Sequence, residues 1–249
     1  VDDDQTVILV QVENESGILN AARDYSPAAQ AAFAQTIPES LSAHLQAHAD
    51  SLQPEFRSLW QVSGGRNAGT WSEVFGPHAD EVFMAWHIAS FVGGVAGAGR
   101  QECALPMFAN AWLCGGPGFP PGKYPSGGPI PKLFDIWRAH APQIDFLAPA
   151  IYQPAFRQAC CAFAVPGNPL FVPEAKNTAA AAANALYVIG HHHGLGFSPF
   201  AIDDIDPTHP LAETYAQLSA VLAFRQRHCP EGAMTGFVQE ADEERWERT

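Results

Sequence analysis

Two glutamates in this 249-residue chain stand where carboxylates could do paired chemistry. Glu15 comes just after the apolar run Val7-Ile8-Leu9-Val10-Gln11-Val12, and Glu174 follows Pro169-Leu170-Phe171-Val172-Pro173. Both runs are short and apolar, the first also β-branched, as strands buried on both faces should be. Pro173 cannot donate a ladder hydrogen bond, which suits the end of a strand. Two carboxyl groups held roughly 5–5.5 Å apart can cleave a glycosidic bond with retention, one attacking the anomeric carbon and the other protonating the leaving oxygen. A single Glu at a strand end is ordinarily a solvated terminus. Two of them, one preceded by Asn14, bring the paired reading level with that bland one.

The elements that must position the pair follow a rhythm. Residues 38–62 predict helix, with Leu41, Leu45, Ala49 and Leu52 at helical spacing and Pro54 opening a second segment that carries Phe56, Leu59 and Trp60. A Gly-rich turn at 63–65 and a long helix from about Ala79 to Gly99 come next. Strands at 105–113, 144–152, 170–174 and 195–200 then alternate with helices at 130–140, 156–165, 178–190 and 207–227. Together with the first strand this makes five βα units, the pattern of a parallel sheet. Glu15, Asn110, Trp112, Tyr152, Glu174 and Phe200 fall at or just beyond the C-terminal ends of five strands. Functional groups collect on that face in (β/α)₈ enzymes. The predicted fold is therefore α/β, a TIM-type (β/α) barrel, as one catalytic-type domain over 1–249 with an acidic tail at 240–249. No phosphate-binding glycine motif supports a nucleotide-binding alternative.

Composition narrows the partners. A formal charge of −13 offers no basic stripe for nucleic acid or an anionic membrane. No run of 18 apolar residues predicts a membrane span. Neutral sugars remain compatible. Cys103, Cys114, Cys160, Cys161 and Cys229 form no metal-type C-x-x-C pattern and read as small buried hydrophobes. His191-His192-His193 precedes the last strand, on the opposite face from the carboxylates, with no carboxylate or cysteine at ligand spacing. No metal and no cofactor are expected. The chain opens on valine, with neither initiator methionine nor signal peptide before it, so it is expected to begin inside a longer product or after processing.

The segment Gln11-Val12-Glu13-Asn14-Glu15-Ser16-Gly17 resembles the acid/base motif of glycoside hydrolase family 35, the β-galactosidases. Phe108-Ala109-Asn110-Ala111-Trp112-Leu113, Tyr124-Pro125-Ser126-Gly127-Gly128-Pro129, Ile144-Asp145-Phe146-Leu147-Ala148-Pro149 and Gly196-Phe197-Ser198-Pro199-Phe200 resemble a bacterial branch of that family, in order through nearly the whole chain. The resemblance implies a retaining exo-β-glycosidase of β-galactosidase type, with Glu15 as acid/base and Glu174 as nucleophile. Asn14 would bind the sugar 2-hydroxyl, Tyr152 would orient Glu174, and Asn110, Trp112 and Phe200 would line the sugar site. Its ligand would be a β-galactoside or related oligosaccharide. It also implies a soluble bacterial protein, cytoplasmic or periplasmic.

In that family the Asn-Glu pair ends strand four, so this chain would hold strands four to eight of an incomplete barrel. Its open edges would then be covered by self-association or by another chain. The competing expectation is a catalytically inactive partial barrel that binds carbohydrate or a partner chain.

Overall fold

The computed structural model describes residues 4, 6–116, 118–228 and 235–238. Cys229 and the acidic tail at 240–249 lie outside the described residues. The chain divides into two compact units, residues 1–147 and 148–249.

The first unit opens with β1 (Val10–Gln11), which pairs in parallel with β2 (Met107–Trp112). Val10 and Val12 donate N–H groups to the carbonyls of Pro106 and Phe108 at 2.9 and 2.8 Å. Five α-helices lie between these strands: α1 (Pro27–Phe33), α2 (Glu39–His48), α3 (Pro54–Val62), α4 (Trp71–Phe75) and α5 (Ala79–Glu102). The predicted helical stretch 38–62 is thus two helices with Leu41, Leu45, Phe56, Leu59 and Trp60 buried. Sequence periodicity misses α1 and α4 because both are short, yet each carries a start signal. Ser26 caps α1 ahead of Pro27, and Thr70 with Glu73 forms a reciprocal capping box on α4.

Helix α5 packs on α6 (Phe134–His140). A Cβ on Gly93 would lie 3.0 Å from the Ala141 Cα, so any larger residue would push the two apart by a few tenths of an ångström. Trp86 stacks on His140, with ring centroids 3.5 Å apart. By length and composition, the stretch Trp71–Glu102 is apolar enough to cross a membrane, although polar residues interrupt its apolar runs. Half of its most apolar window is buried inside the protein. Within this core Glu81 is 2% exposed, and its carboxylate meets Lys132 Nζ at 2.6 Å and the Tyr124 hydroxyl at 2.7 Å.

Strand β3 (Phe146–Ile151) begins in the first unit and ends in the second. Its start is tied to β2: Asp145 donates its N–H to the Met107 carbonyl at 2.8 Å and accepts the Met107 N–H at 2.7 Å. Phe146 stacks flat against Phe108. The second unit adds α7 (Phe156–Phe163), β4 (Phe171–Val172), β5 (Glu174–Ala175), α8 (Ala180–His191), β6 (Gly196–Phe197) and α9 (Pro210–His228). Helices α8 and α9 pack together, burying Ala181, Ala185, Val188, Leu211 and Leu218.

The α/β class and the parallel pairing agree with expectation, but the arc of barrel strands four to eight does not. The strands form a four-stranded sheet in the order β1-β2-β3-β5 and a separate two-stranded sheet of β4 and β6. The break falls at Pro173. The predicted strand 170–174 divides there, its first part pairing with β6 and Glu174–Ala175 pairing with β3. A residue without an N–H cannot carry one ladder through that point. The first strand is also shorter than 7–12. Val7 and Ile8 are exposed, so this run is not buried on both faces.

The Glu81–Lys132 pair yields a stability prediction. Lys132→Met strands a buried carboxylate and should cost about 3 kcal/mol, read as a lower urea midpoint at unchanged slope. Glu81→Gln added to that variant should recover most of the loss.

Candidate functional site

In the first unit the chain leaves β1 through two non-glycine residues in left-handed conformation, Glu13 at φ 60° and Glu15 at φ 46°. Such residues cost about 1–3 kcal/mol each unless their surroundings hold them. Asn110 supplies the hold. It sits inside β2, 1% exposed, and its Oδ1 accepts the Glu15 backbone N–H at 2.8 Å. Its Nδ2 donates to Asn14 Oδ1 at 3.1 Å, and Gln11 Nε2 donates to the same Asn14 oxygen at 3.0 Å and to the Glu13 carbonyl at 3.0 Å.

Beyond Glu15 the chain is clamped by the glycine-rich loop before α6. Ile18 and Ser126 exchange backbone hydrogen bonds of 3.1 and 2.9 Å, and Asn20 donates to Gly122 at 2.8 Å. Gly127 (φ 83°) lets this loop touch α5: a Cβ there would lie 2.7 Å from the Ala85 nitrogen.

In the second unit Glu174 opens β5 level with Ala150 of β3, and Tyr152 directly follows β3. This register brings the Tyr152 hydroxyl onto Glu174 Oε1, to which it donates. Among the described residues Oε2 of Glu174 has no hydrogen-bond partner. Phe200 donates its N–H to the Ala175 carbonyl at 2.9 Å and is 63% exposed as a residue.

Of the predicted residues, Asn14, the Glu15 backbone and Asn110 therefore form one bonded cluster, and Tyr152 and Glu174 another. Trp112, 42% exposed as a residue, ends β2 two residues beyond Asn110. The residue overlooked is Gln11, which the motif contains but residue type alone does not assign. Its spacing three residues before Asn14, across a turn, was the available sign.

The weaker candidates behave differently. Cys160 is buried, but Cys161 and Cys103 are exposed and Cys114 is half-buried, so the cysteines are not uniformly core hydrophobes. Cys161 Sγ lies 3.8 Å from the Tyr187 hydroxyl and 4.0 Å from His192 Nε2. No group of three metal-ligating side chains occurs among the described residues. An open hollow of about 480 Å³ in the second unit is lined by Val165, Asn168, Leu170 and His192. It borders none of the predicted site residues. Burial, then the neighbouring His191 and His193, pushes the His192 pKa down to about 4. The chain matches no protein-family model and no curated protein sequence.

Two predictions arise. Asn110→Ala leaves the Glu15 N–H without its acceptor and should cost about 1–3 kcal/mol in thermal unfolding. For His192, the folded chain binds the proton more weakly than the unfolded chain. Its contribution is thus complete above pH 6.5 and is lost as pH falls toward about 4. The Tm of His192→Gln should decline less over that interval than that of the unsubstituted protein. An identical decline would contradict the assignment.

Proposed function

We propose that this protein is a retaining exo-β-glycosidase acting on β-galactosides, with Glu174 as nucleophile and Glu15 as acid/base. The observation that carries the reading is the Tyr152 hydroxyl donating to one oxygen of Glu174 while the other has no partner among the described residues. A carboxylate fixed in this way presents one oxygen for attack, and the tyrosine keeps the other from competing. The motif Glu13-Asn14-Glu15 supports the second half of the reading, since Asn110 holds the Glu15 main chain in a fixed conformation.

The chemistry would run as a double displacement. Glu174 Oε2 attacks the anomeric carbon while Glu15 gives its proton to the leaving oxygen. Glu15, now a carboxylate, then takes a proton from water, which releases the sugar from Glu174 with its original anomeric configuration. Trp112 and Phe200 offer exposed aromatic faces for the C–H side of a sugar ring.

Aryl β-galactosides test the assignment. Glu174→Gln should abolish turnover of every substrate. Glu15→Gln should slow substrates with poor leaving groups by roughly 10²–10⁴ while sparing those with good ones, which need little protonation. Tyr152→Phe should lower kcat by about ten- to a hundredfold, the value of a hydrogen bond to a charged group. Equal losses on good and poor leaving groups in Glu15→Gln would contradict its role.

A further inference from the structure

Three side-chain amides beside Glu15 form a chain whose two ends are main-chain groups of fixed polarity. The Glu15 N–H can only donate, so the Asn110 atom 2.8 Å from it is the oxygen. The other Asn110 atom is then the NH₂, which can only donate, so the Asn14 atom 3.1 Å from it is the oxygen. From the other end, the Glu13 carbonyl can only accept, so the Gln11 atom 3.0 Å away is the NH₂. That same nitrogen lies 3.0 Å from Asn14, which again requires the Asn14 oxygen. Both ends give Asn14 the same orientation. Its Oδ1 takes two hydrogen bonds, the full capacity of a carbonyl oxygen. Its Nδ2 has no partner among the described residues, and the side chain is exposed.

We infer that Gln11 and Asn110 are positioning residues that lock the Asn14 amide with its NH₂ toward the ligand, making this point of the site a donor that selects for an accepting oxygen. The inference rests on the proposed reaction, with Glu15 as acid/base and Asn14 facing the sugar 2-hydroxyl, and it deepens that reading by naming what sets the polarity there. A sugar hydroxyl satisfies the donor. A deoxy position leaves it unpaired, and an ammonium group meets it donor to donor. The site should therefore reject a protonated 2-amino sugar for a reason of orientation as well as size. Turning Asn14 over would place its NH₂ against the NH₂ groups of both Gln11 and Asn110, so both must change before the amide can reverse.

The test is the double variant Gln11→Leu/Asn110→Asp. Asp still accepts the Glu15 N–H but now offers an oxygen to Asn14, and Leu removes the opposing donor. Asn14 should then turn, giving its NH₂ to Asp and showing its oxygen to the ligand. On aryl β-galactoside against the aryl 2-amino-2-deoxy analogue at a pH where the amine is protonated, the ratio of kcat/KM should fall by at least roughly tenfold, the worth of one reversed hydrogen bond. Asn110→Asp alone carries the same added charge with Gln11 still in place and should fall by less. An unchanged ratio in the double variant would overturn the lock.

Amide hydrogen exchange by NMR reads the orientation without turnover. In the unsubstituted protein the Gln11 and Asn110 NH₂ groups should exchange slowly and that of Asn14 quickly. In the double variant the Asn14 NH₂ should become protected. A protected Asn14 NH₂ in the unsubstituted protein would refute the lock whatever the kinetics. Absence of turnover beside the expected exchange pattern would instead count against the glycosidase reading and leave the lock standing.

Discussion

The first unit depends on one hydrogen bond, from the Glu15 main-chain N–H to the buried amide of Asn110. The chain leaves a two-residue strand and must turn at once, through left-handed backbone at Glu13 and Glu15. Neither residue is glycine, so local preference opposes the turn, and a tertiary contact has to offset it. Asn110 can do so because β2 carries it beneath the turn. That strand is in turn aligned by the Asp145 clamp on Met107 and by Phe108 stacked on Phe146. An exposed amide in the same place would contribute little, since water would compete for both of its ends.

The second unit solves a related problem with a proline. Pro173 ends one short ladder and permits another to begin at Glu174, which then lies level with the end of β3 and within reach of Tyr152. Strain at one carboxylate and a broken strand at the other are departures from regular structure. Such departures concentrate where a side chain must be aimed and not merely packed.

Much of this was legible from residue order. Helices with a strong apolar stripe, such as Pro54–Val62, and strands buried on both faces, such as Phe146–Ile151, announce themselves by period and composition. Short elements do not, because five or seven residues hold too few turns to establish a period. Thr70 and Glu73 had to be read as a cap for α4 to be seen. The sheet was misjudged for a different reason: a strand pattern specifies that residues 170–174 are extended, but not which neighbour each half pairs with. The run Val7–Val12 looked doubly buried because its residues are β-branched, whereas burial depends on what the fold places beside them. For the site, residue type singled out both glutamates and Asn14, but Gln11 became visible only once its nitrogen lay between a carbonyl and an amide oxygen.

The proposal that Glu174 is a glycosidase nucleophile is tested most directly by trapping. A 2-deoxy-2-fluoro β-galactoside with a good leaving group allows the first displacement but slows hydrolysis of the intermediate, because fluorine destabilises the oxocarbenium-like transition states and loses the hydroxyl contact. Peptide mapping by mass spectrometry after incubation should find one fluorogalactosyl group, in ester linkage, on Glu174. Label on another carboxylate, or no label under conditions where aryl galactosides are turned over, would contradict Glu174 as the nucleophile.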